Sequence, residues 1–79
     1  MKITQGMVDL MHSFRIAAMC KDSIDELCEL YKAGLMYLGD LSKEETIYPE
    51  QACAVTDFFR DVIRDEEART EITVSASVK

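Results

Sequence analysis

The stretch "DELCELYKAGLMYLG", residues 25–39, decides how this chain folds. Nine of its fifteen residues are Leu, Met, Tyr, Ala or Cys, more than one helical stripe can hold. Ile24, Leu27, Cys28, Tyr31, Leu35 and Leu38 recur at steps of three and four and form the main apolar stripe of a helix from Ile24 to about Leu38. Ser23 with Glu26 fits a capping box at its start, Asp25 and Glu26 complement the positive end of the helix, and Gly39 suits the C′ position that ends it. Leu30, Gly34, Tyr37 and Leu41 make a flanking stripe, so apolar residues cover about half the circumference. That surplus needs a cover. A second copy of the chain, laid over Leu30, Met36, Tyr37 and Leu41, is the expected one, because Tyr and Met supply large adaptable contact area and a short chain has little core of its own.

Upstream, Met7, Leu10, Met11, Phe14 and Ala18 share one face of a first helix over roughly residues 4–20, with Thr4 as N-cap. Val8, His12, Ile16 and Met19 form a second row nearly opposite, so this helix is more apolar than a solvent-facing one requires. Downstream, "GDLSKEETIYPE" reads as a connector in which Ser42 with Glu45 could start a short helical turn near residues 43–47. Pro49 suits the first position of a third helix reaching about Arg69, where its missing N–H costs nothing. Ala52, Val55, Phe58, Phe59, Val62 and Ile63 line its core side, and Asp57, Arg60, Asp61, Arg64 and Asp65 the other. After Glu71 the period shortens to two, with Ile72, Val74, Ala76 and Val78 alternating with polar residues. A lone strand is unstable in water, so residues 71–79 are expected to be an extended or disordered tail. The expected fold is therefore all-α, a small three-helix bundle over residues 1–70.

Seventy-nine residues allow one domain. Nine Lys and Arg against fifteen Asp and Glu leave a net charge of −6, which repels phosphate backbones and attracts basic surfaces, so nucleic acid is not an expected direct ligand. Three cysteines without CxxC spacing argue against a disulfide framework and suit a reducing compartment. Asp9, His12 and Arg15 interrupt any apolar leader, and no stretch approaches the roughly 20 apolar residues of a membrane span, so a cytoplasmic protein is expected.

Candidate chemistry is sparse. Asp9 and His12 are spaced to face a metal from one helix, but the further carboxylate ligands such a site needs have no pattern here. His12, Cys20, Cys28 and Cys53 lie too far apart in sequence for a zinc knuckle, and Cys20 and Cys28 read as buried thiols. Cys53 falls on the polar side of the third helix, where Asp57 opposes thiolate formation. One His without a base-and-orienter set supports no nucleophile, so no catalytic residue, cofactor or metal is expected. "IAAMCKDSIDELCELYKAG" also fails as a helix-turn-helix, because its second helix carries Asp25, Glu26 and Glu29.

Asp57, Asp61 and Asp65 recur every four residues and, with Glu66 and Glu67, outline an acidic docking face flanked by Arg60 and Arg64. The expectation is a small acidic protein that binds a larger protein without chemistry, as phage anti-defence inhibitors, antitoxins and immunity proteins do. A nucleic-acid mimic acting through those carboxylates is the alternative, and a metal-dependent enzyme a remote one.

Overall fold

Each helix begins where a side chain takes up an amide that the first turn leaves free. Thr4 Oγ1 accepts from the Met7 amide at 3.2 Å, and Ser23 Oγ accepts from the Glu26 amide at 3.2 Å. Glu26 Oε2 accepts in turn from the Asp22 amide at 3.0 Å, one residue earlier than the expected capping box requires. Gln51 Oε1 accepts from the Tyr48 amide at 2.9 Å, so Pro49 does open its helix.

The computed structural model describes residues 3–78, with side chains as far as Thr70. Three helices among them follow in the order α1 (Gln5–Met19), α2 (Ile24–Glu44) and α3 (Pro49–Val78), and each packs against the other two. The expected all-α three-helix bundle is the fold found. Its long dimension, 50 Å against 20 and 16 Å, is set by α3, whose thirty residues rise about 45 Å.

Met7, Phe14 and Ala18 from α1, Leu27 and Leu38 from α2, and Val55, Phe59 and Val62 from α3 form the buried core. Phe14 and Phe59 stack at 4.1 Å between centroids, and a Cβ on Gly34 would stand 2.8 Å from the Phe14 ring and 3.2 Å from Phe59. Glycine at this position lets the rings from α1 and α3 meet against the α2 backbone. At the other end of α1, Gly6 lies close to Leu41, and Thr4 Oγ1 donates to Glu45, tying the start of α1 to the end of α2. Arg69 Nη2 donates to the Lys21 carbonyl at 2.6 Å and ties α3 to the turn between α1 and α2.

Three expectations are corrected. Gly39 does not end α2, which continues to Glu44, and Ser42 Oγ donates back to the Gly39 carbonyl at 2.6 Å instead of capping a separate turn. The reason is energetic: Leu38 is buried and Leu41 packs against the core, each worth about 1.5–3 kcal/mol when fully covered, against about 1 kcal/mol for an interior glycine. Second, the α3 backbone runs on as helix across the boundary placed at residue 70, where an extended or disordered tail was expected. Lengthening a nucleated helix needs no new nucleus, and β-branched residues cost only tenths of a kcal/mol each. The side chains of residues 71–79 lie outside the described part of the molecule.

The third correction concerns the stripes of α2. Leu27, Gly34 and Leu38 are its buried centre, Leu30 and Leu41 are half-buried against α1, and Tyr31 is half-buried toward α3. Ile24 at 39%, Leu35 at 38% and Cys28 remain exposed on the stripe expected to be core. Of the surplus, α1 takes up Leu30 and Leu41, while Tyr37 and Met36 stay open at 62% and 71%, and Ile24, Cys28 and Leu35 stay open on the other edge.

Candidate functional site

Between α1 and α2 run two small clefts of about 150 and 240 Å³ that share Leu10 and Tyr37 as walls. Leu30 lines the first and Leu41 the second, so the structure brings together Leu30, Tyr37 and Leu41 as the flanking stripe implied. Tyr37 is 62% exposed and stands where the clefts meet. Met36 is 71% exposed but stands apart from them, because one residue is a 100° step around a helix and carries it to the polar side with Lys32, Asp40 and Lys43.

Between α2 and α3 lies a wider recess of about 620 Å³ lined by Cys28, Tyr31, Lys32, Arg60, Ile63, Arg64 and Glu67. Three cations converge here in an otherwise acidic chain. Arg60 Nε donates to the Tyr31 hydroxyl at 3.3 Å, and this bond, reinforced by Asp57 nearby, holds the guanidinium pKa above its ordinary value. Arg64 pairs with Asp61 at 2.9 Å and Lys32 with Glu29 at 3.6 Å, both on the surface.

The five carboxylates expected on one docking face are divided. Asp57, Asp61 and Asp65 are exposed along α3 and keep their row. Glu66 is drawn in to pair with Arg69, and Glu67 belongs to the α2–α3 recess. A helix turns 100° per residue, so two residues following Asp65 cannot extend its row.

On α1, Val8 at 45%, Ile16 at 51% and Met19 at 62% leave the second row open to solvent. Its periodicity was visible in the sequence, although these three residues were not among the candidate interface residues. His12 is exposed in the same row and borders a shallow recess with Arg15 and Phe58. The Asp9 carboxylate accepts from Gln5 Nε2 at 2.9 Å, so it is engaged within its own helix. Cys20, Cys28 and Cys53 are free and all exposed, which corrects the expected burial of the first two: Cys20 is the C-cap of α1, and Cys28 sits at the recess rim. Among the described residues no group of three His, Cys, Asp or Glu could hold a metal ion, and no helix is long and apolar enough to cross a membrane. Compared with known protein families, characterised proteins and solved structures, the chain finds no match.

Proposed function

We propose that this chain is a small acidic, non-enzymatic protein-binding module of the cytoplasm, a regulator or inhibitor that occupies a surface of a larger protein. The observation that carries this reading is the placement of Tyr37, largely exposed at the junction of two clefts whose walls include Leu10, Leu30 and Leu41. A tyrosine offers a large rigid contact at low entropic cost, and the clefts beside it accept an apolar anchor from the partner. The net charge of −6 favours a partner with a basic rim around that anchor.

Affinity capture from the source cytoplasm, quantified by mass spectrometry, tests it with two variants. Tyr37→Glu keeps a helical CD spectrum, since the ring is largely solvent-facing, and loses the captured partner because a carboxylate would be buried unpaired in an apolar contact. Reversing Asp57, Asp61 and Asp65 to Lys leaves that partner bound. The opposite pattern, capture lost by the triple reversal and kept by Tyr37→Glu, moves the docking surface to α3 and favours the mimic of a phosphate backbone. Binding through such mimicry would also weaken steeply with salt.

A further inference from the structure

We propose that the α2–α3 recess is a binding site for a small aromatic carboxylate, with the carboxylate held by Arg60 and the ring laid over Tyr31 and Ile63. This goes beyond the reading of the Tyr37 surface and does not depend on it, since no residue lines both this recess and the α1–α2 clefts.

Size and lining set the class of ligand. A volume of about 620 Å³ falls within the roughly 300–1,000 Å³ of small-molecule sites. Tyr31 and Ile63, both half-buried, offer an apolar wall from each helix, while Lys32, Arg60 and Arg64 are exposed around them. Sites of this kind combine apolar walls, which supply affinity, with a few convergent polar groups, which fix orientation. The sign of the ligand follows from the cations. Three of the chain's nine Lys and Arg residues meet at this one recess, so an anion that the net charge of −6 repels elsewhere is admitted here.

Arg60 is prepared to hold that anion. Its Nε donates to the Tyr31 hydroxyl at 3.3 Å, which orients the guanidinium plane before any ligand arrives. Asp57 is near enough to act on its charge, yet Arg60 forms no ion pair among the described residues. Both Nη groups therefore remain as a fork that matches a carboxylate. Lys32 and Arg64 pair with Glu29 and Asp61, which lie outside the recess lining, and such exposed pairs are weak enough to loosen for a ligand.

Glu67 limits the charge that fits. It lines the recess seven residues beyond Arg60, about 10 Å further along α3, with Ile63 between them. A ligand with its carboxylate on Arg60 and its ring along Ile63 ends near Glu67, where a second negative charge would be opposed. The site favours a monoanion over a dianion for this reason.

Naphthoate is the probe, titrated into the isotope-labelled full chain and followed by amide chemical shifts. The amides of Tyr31, Arg60 and Ile63 should shift together and saturate with a Kd on the order of 1 mM or tighter, while those of Leu10 and Tyr37 hold still. Naphthyl methanol, which has the ring without the charge, should bind about tenfold more weakly, and a naphthalene dicarboxylate with its acids at opposite ends no more tightly than naphthoate. Arg60→Met keeps the stem of an exposed side chain and loses the fork, and should weaken naphthoate about tenfold. Tyr37→Glu should bind naphthoate as wild type does, which separates this site from the protein-binding surface. Shifts that do not saturate, an Arg60→Met chain that binds naphthoate like wild type, equal affinity for the neutral ring, or a tighter dicarboxylate overturns the proposal. Polyglutamate that moves the same amides at lower concentration also overturns it, in favour of an acidic protein partner. Should Arg60→Met fail to fold, salt decides in the wild-type chain. Raising it from about 20 mM to about 500 mM should weaken naphthoate several-fold and leave naphthyl methanol unchanged, and a naphthoate affinity that ignores salt overturns the site.

Discussion

The two edges of α2 are built from different materials, and they pack differently. Toward α1 the helix presents Gly34, Leu30 and Leu41, and the approach is close enough that a single added carbon at Gly34 would meet two aromatic rings. Toward α3 it presents Cys28, Tyr31 and Lys32 opposite Arg60, Ile63 and Arg64, and the seam opens into the widest recess described here. Small residues let backbones approach, whereas long cations reach for water and leave the rim of a seam open. The difference separates a surface that holds the fold together from surfaces free for other work, and substitutions on either side should show it.

The largest effect belongs to the closed seam. Phe59 is fully buried and stacks on Phe14 over Gly34, so Phe59→Ala should cost about 3–5 kcal/mol by urea denaturation. A loss below about 1 kcal/mol would mean that this stack is not the centre of the core.

Gly34→Ala comes next. The new methyl would sit 2.8 Å from Phe14 and 3.2 Å from Phe59, and neither ring can yield without disturbing the other. A destabilisation of about 1–3 kcal/mol is expected, although alanine is the better helix former. Gly39, five residues along the same helix, reverses the sign. A Cβ there meets nothing within 4 Å and the residue is helical, so Gly39→Ala should stabilise by about 0.5–1 kcal/mol. Equal effects at the two glycines would remove the distinction between packed and open sides of α2.

Much of the closed seam could be read from the sequence. Met7, Phe14 and Ala18 announced the inner face of α1, Thr4 and Ser23 announced the helix starts, and Val55, Phe59 and Val62 announced the inner face of α3. Periodicity reports which residues could share a face, but it carries no information about which neighbour covers that face. For this reason Ile24, Cys28 and Leu35 were placed in the core, while Leu30 and Leu41 were expected to need a second chain. Gly39 misled for a related reason, since a glycine ends a helix only when nothing beyond it gains by staying helical, and Leu41 gains by packing near Gly6. The α2–α3 recess was not legible because it depends on Arg60 turning toward Tyr31, a contact across 29 residues of sequence. Its only trace was the arginine pair beside the aspartate row, which read as simple neutralisation.

The smallest effect belongs to the open seam and completes the contrast. Tyr31→Phe removes the hydroxyl that accepts from Arg60 at 3.3 Å and keeps the ring that fills the recess. Both partners in that bond reach solvent, where water replaces a lost hydrogen bond at little cost, so thermal unfolding should shift by less than about 2 °C at one fixed protein concentration. The pH dependence has a definite sign. Because folding raises the Arg60 pKa, whatever the contact contributes is fully present below the ordinary guanidinium pKa and is lost only as pH rises through the raised value. Wild type and Tyr31→Phe should therefore show parallel stability profiles between roughly pH 5 and 9, a window far below any guanidinium titration. Profiles that diverge inside that window would mean that the loss of the hydroxyl acts through more than its bond with Arg60.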